Sequence, residues 1–80
     1  MKLVVVVLAN AQAEDAVETL LETGHRVTCL SSTGGLIRQG NTTLMVGVED
    51  TDVEAVLDAV HQQSPSALAI VLPLERYERL

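Results

Sequence analysis

Hydrophobic and polar positions change period along this chain, and each change predicts an element. Leu3 to Leu8 is an unbroken apolar run, the pattern of a strand buried on both faces. From about Ala11 to Glu22 the period turns helical. Ala13, Ala16, Val17, Leu20 and Leu21 form one stripe, with Glu14, Asp15, Glu18 and Glu22 outside it. Asn10 stands where an N-cap is wanted, and Gly24 where a helix-ending glycine is. Arg26 to about Ser32 reads as a second strand and Thr42 to Val48 as a third. Thr51 and Glu54 have the capping-box spacing ahead of a second helix, whose inner face is Val53, Val56, Leu57 and Val60. Ser64-Pro65-Ser66 ends that helix. Ala67 to Leu72 is a fourth apolar strand, closed by Pro73 and a charged tail.

The predicted order is β-α-β-β-α-β over one domain, residues 1–80. That is an α+β, ferredoxin-like arrangement with a four-stranded antiparallel sheet, and its halves form a weak internal repeat. Right-handed crossovers put both helices on one face of the sheet. Yet three strands are apolar on both faces. Leu3, Val5 and Val7 oppose Val4, Val6 and Leu8; Leu44, Val46 and Val48 oppose Met45; Leu68, Ile70 and Leu72 oppose Val71. Each large aliphatic contributes about 1.5–3 kcal/mol when buried, so a wet second face would forgo on the order of 5–10 kcal/mol. A small domain's whole stability is of that size. The second face is therefore expected to be covered by other copies of the chain, with ligand clefts between subunits.

Composition narrows the partners. A net charge of −6 with five basic residues and no basic run argues against nucleic acid. The start MKLVVVVLA resembles a signal peptide, but its apolar run is short, rich in β-branched valine and followed at once by an acidic helix. It reads as a buried strand. No segment is long enough to cross a membrane, and no membrane partner is expected. The single cysteine, Cys29, reads as a small buried apolar residue and fits a reducing, cytoplasmic setting. His25 and His61 have no ligand-spaced partner, and Glu49, Asp50 and Asp52 read as negative charge at a helix N-terminus. Neither a metal nor a cofactor is expected.

The loop between the second and third strands is where function is expected. About ten residues, Thr33 to Thr42, connect strands that a two-residue turn could join. Leu36-Ile37 sits there between Gly-Gly and Arg-Gln-Gly, and apolar side chains at such a tip need something to bury them. Without ligand the loop is expected to be the least protected part of the chain. Gly34, Gly35 and Gly40 are suited either to offering N–H groups to a phosphate or simply to turning the chain. Arg26 and Arg38 suit phosphates by their fork geometry, or surface ion pairs.

The run RVTCLSSTGGLIRQGNTTLMVGVED, with VLPLERYERL at the C-terminus, resembles the cyclic-di-AMP receptor family of PII-like signal proteins. The shared pattern is long: R-x-T-x-L-x-[ST]-T-G-G-[FL]-[LI]-R-x-G-N-T-T-L-x-x-G-V-E-D. The resemblance implies a homotrimer whose sheets wrap a central channel and which binds the dinucleotide, or a related adenine nucleotide, in clefts between subunits. It implies Arg26, Thr28, Gly35, Leu36, Asn41 and Gly47 as ligand contacts. Members usually carry Phe where this chain has Leu36, and a long insertion where it has only Ser64-Pro65-Ser66, so it resembles a short form. The expected function is that of a non-enzymatic signal receptor acting on an unknown protein target. The alternative is an interaction scaffold of the same fold with a degenerate nucleotide pocket. A phosphatase is disfavoured, because Ala9-Asn10-Ala11-Gln12 after the first strand supplies no phosphate loop.

Overall fold

A computed structural model describes residues 1–30, 40–76 and 78. The elements are β1 (Lys2–Ala9), α1 (Asn10–Glu22), β2 (Val27–Leu30), β3 (Asn41–Val48), a 3₁₀ turn (Asp50–Asp52), α2 (Val53–Gln63) and β4 (Leu68–Pro73). The strands form one sheet in the order β2-β3-β1-β4, every neighbouring pair antiparallel. The predicted ferredoxin-like βαββαβ fold is therefore the observed one. The valine-rich run, Val4 to Val7, takes a central strand, where continuous apolarity is most useful.

Register divides the sheet into two faces. Val4 pairs with Val46 and Val71, and Val6 with Leu44 and Ala69. Val4, Val6, Leu8, Leu44, Val46 and Val48 face the helices and pack on Ala13, Ala16 and Leu20 of α1 and Val56 and Val60 of α2, whereas the edge strand β4 stays exposed on both parities, Val71 included. The other parity brings Leu3 opposite Leu72, Val5 opposite Met45 and Ile70, and Val7 opposite Thr43 and Leu68. No helix covers that second face among the described residues.

α1 ends in a Schellman motif: the Gly24 N–H donates to Leu21 O at 3.0 Å and the His25 N–H to Leu20 O at 3.1 Å. Gly24 adopts φ +87°, so the glycine is there for conformation, as its place in the sequence predicted. The C-terminal end of α2 is tied to α1 at two points. Ser64, 1% exposed, donates its hydroxyl to Gln12 Oε1, and Gln63 Nε2 donates to Thr19 Oγ1 at 3.2 Å.

Several local expectations are corrected. Ala9, not Asn10, is the N-cap of α1, and no side chain caps it. Asn10 is instead the first helical residue, because its groups are taken by the start of β3. Its N–H donates to Gly40 O at 2.9 Å and its Oδ1 accepts from Thr42 Oγ1. The Thr51–Glu54 capping box does not form. Thr51 lies within the 3₁₀ turn, which the Asp52 N–H closes on Glu49 O at 2.9 Å, so α2 is entered from Asp52. Leu21 is 55% exposed rather than part of the core stripe, and Cys29 is exposed rather than buried. Both border the sheet edge at β2, beyond which no strand continues among the described residues. β3 begins at Asn41. Of the loop singled out in the sequence, Thr33 to Gln39 lie outside the described residues, with Gly34, Gly35, Leu36 and Arg38 among them.

Candidate functional site

Strand parity gathers the sequence-predicted contacts. In β2, Thr28 pairs with Met45 and therefore belongs to the uncovered face. In β3, Asn41 and Gly47 share the parity of Met45, so they lie on the same face. Arg26, one residue before β2, continues that parity beside Gly47. All four described candidates thus occupy uncovered-face positions. Gly35 and Leu36 lie outside the described residues.

The four are not one pocket within a single chain. Gly47 and Asn41 are six residues apart on β3, about 20 Å at the rise of an antiparallel strand. Arg26 and Gly47 line a hollow of about 350 Å³ with Thr23, Gly24, His25, Glu49 and Asp52. Asn41 stands at the opposite end of the strand, next to the point where Asn10 fastens Gly40 and Thr42. Gly40 has φ +89° and open space where a Cβ would sit, so the turn's conformation calls for glycine, not crowding. Asn41 is half-buried and Thr28 exposed.

Electrostatics distinguish the two ends. At the Arg26 end the terminal ammonium of Met1 lies 3.0 Å from Asp50. That hydrogen-bonded charge, with Lys2 further off, holds the Asp50 carboxyl below its usual range. Thr23 Oγ1 donates to Leu20 O at 2.9 Å and also lies within hydrogen-bond distance of His25 Nδ1, at 2.9 Å. Arg26 is exposed and makes no ion pair among the described residues, so its fork is available to an anion. Of the acidic trio read as helix-terminal charge, Asp50 is engaged in this way.

A larger hollow, about 790 Å³, lies on the other side of the sheet between α1 and β2. Ala13, Val17, Leu21 and Cys29 give it apolar walls, and Glu14, Glu18 and Glu22 give it an acidic rim. Size alone would make it the ligand site. Its carboxylates make it unsuited to a phosphodiester, and none of the predicted contacts lines it. The uncovered face, with Arg26 at one end, has the better chemistry for an anionic ligand. Sequence reasoning missed this hollow, because the helical period assigned Leu21 to the core. It also missed the Asn10 anchor, which depends on a partner more than thirty residues away.

Comparison with known proteins places the chain in a family and its fold beside a solved structure. A family model described as cyclic-di-AMP receptor matches residues 1–78. A crystal structure of a functionally unknown protein from Pediococcus pentosaceus superposes with a TM-score of 0.84 at 29% sequence identity. The match covers 99% of this chain and 96% of that one.

Proposed function

Because this chain belongs to the cyclic-di-AMP receptor family, we propose that it is a PII-like homotrimer that binds cyclic-di-AMP, or a related adenine nucleotide, in clefts between subunits. The observation that carries this reading is the common parity of Arg26, Thr28, Asn41 and Gly47 on the face that no helix covers among the described residues. Leu3, Val5, Leu68, Ile70 and Leu72 on that face supply the apolar area that copies would bury against one another. The distance of about 20 Å along β3 between the two ends has a direct consequence for the ligand. One dinucleotide engages both ends only where the Arg26–Gly47 end of one copy meets the Asn41 end of the next. Arg26 then pairs with phosphate, while Thr28 and Asn41 hydrogen-bond to sugar or base. Gly35 and Leu36 enter this site on the strength of the family pattern. The protein acts by binding rather than catalysis, on a protein target, and the exposed Cys29 suits a reducing cytoplasm.

Calorimetric titration with cyclic dinucleotides and adenine nucleotides tests the proposal. Thr28→Ala and Asn41→Ala are each expected to weaken binding by about 1–3 kcal/mol without disturbing assembly, because each leaves a ligand polar group unpaired. Leu36→Phe is expected to strengthen it, since base–aromatic stacking contributes about 1–3 kcal/mol per base. If neither the wild type nor Leu36→Phe binds any adenine nucleotide, the receptor reading is wrong. The scaffold with a degenerate pocket, which Leu36 in place of the family's usual Phe favours, then replaces it.

A further inference from the structure

We propose that the hollow between α1 and β2 docks a basic amphipathic helix of another protein, on the side of the sheet opposite the nucleotide face. Two rows run along α1 at four-residue spacing. Ala13, Val17 and Leu21 make an apolar row; Glu14, Glu18 and Glu22 make an acidic row beside it. Cys29, on the helix-facing parity of β2, closes the hollow from below. Val17 packs partly against the core, whereas Leu21 is left more than half exposed at the open end. Between Ala13 and Leu21 the row is about 12 Å long, two helical turns. That matches the reach of anchors at i, i+4 and i+7 on an incoming helix.

Charge selects the occupant. α1 and α2 carry Glu14, Asp15, Glu18, Glu22, Glu54 and Asp58, and neither helix holds a lysine or arginine. Nucleic acid and anionic membranes are repelled by such a layer. A helix with aliphatic anchors flanked by Lys or Arg matches both rows at once: its apolar stripe covers Val17 and Leu21, and its cations meet the glutamates. The rim glutamates also raise the encounter rate with a cationic partner and make it salt-dependent. The hollow lies on the helix side, not on the face proposed to be buried between copies.

The test uses the full chain and a labelled synthetic helix with Leu at i, i+4 and i+7 and Arg on both flanks. A scrambled peptide of the same composition serves as control. The expected result is micromolar binding, about tenfold tighter than the scrambled control, with amide shifts concentrated in residues 13–22 and 27–30. Leu21→Asp and, as a second variant, Glu18→Lys should each weaken it by about tenfold. Both positions are exposed, and circular dichroism checks that the fold is kept. Equal binding of both peptides would reduce the effect to bulk charge and overturn the proposal, as would binding by neither. Shifts confined to the uncovered sheet face would overturn it too. Concentration-dependent shifts in residues 13–22 without peptide would assign the hollow to a second copy. Binding that appears only after residues 31–39 are removed would assign it to the chain's own segment.

Discussion

The two faces of this sheet are built from the same aliphatic residues and meet opposite fates. Toward the helices, Val4, Val6, Leu44 and Val46 are wholly buried; on the other side Leu68 is 59%, Ile70 43% and Leu72 44% exposed. Nothing in side-chain type separates Val6 from Val5, its neighbour in β1. The difference is what lies above them. Over the central strands β1 and β3 one face is completed by α1 and α2, though the edge strand β4 stays exposed on that side too, Val71 by 38%; the other face has the composition of a core with no second layer among the described residues. A single chain therefore folds around half of its apolar sheet, and the remaining half is suited to association.

Substitutions that treat the faces alike should break them differently. Val6→Asp places an unpaired charge among wholly buried residues and should prevent folding, a loss of about 4–5 kcal/mol or more. Far-ultraviolet circular dichroism would show it. Val5→Asp or Ile70→Asp, one parity away, should leave each chain folded and dissociate the assembly, as sedimentation would record. If Val5→Asp proves as unfolding as Val6→Asp, the faces are not distinct in the way described. Leu44→Ala, which leaves a cavity under the helices, should cost about 2–5 kcal/mol in chemical denaturation. Ser64→Ala should cost about 1 kcal/mol, because Gln12 Oε1 loses a donor at the junction of the helices.

The smallest effect concerns the Met1–Asp50 pair. Asp50 has its pKa lowered in the folded state, so its contribution is fully present above the usual carboxylate range. It is lost as pH falls through the lower folded value. The pair is exposed, and solvent screening keeps it weak. Acetylating the N-terminus should lower the melting temperature slightly at neutral pH and not at all in strong acid.

What was legible in the sequence follows the range of the forces involved. The period of β1, the inner face of α2 and the Gly24 stop are local signals, and each appears where the pattern put it. The two-sided apolarity of β1, β3 and β4 was legible as well, since alternation needs only the strand itself. Long-range geometry was not. Asn10 has the side chain of a cap, but the start of β3 takes its hydrogen bonds. Leu21 continues the helical stripe, yet the stripe runs past the edge of the sheet it should cover. For the candidate site, the residue types were legible through the R-x-T and G-N-T-T-L segments. Their division between two ends of β3 became visible only with the register.

Within the described part of β2, Val27–Leu30, neighbours in sequence answer to different sides of the molecule: Thr28 toward the proposed nucleotide, Cys29 toward the hollow beside α1. Strand parity makes this assignment all-or-none. Inserting or deleting one residue between Arg26 and Val27 leaves the strand's composition intact, but re-pairing it one step along would exchange the two audiences of every side chain in it. Length here is as much a constraint as identity. Variation in this segment should be tolerated as substitution, or as paired insertion of two residues, long before it is tolerated as a change of one.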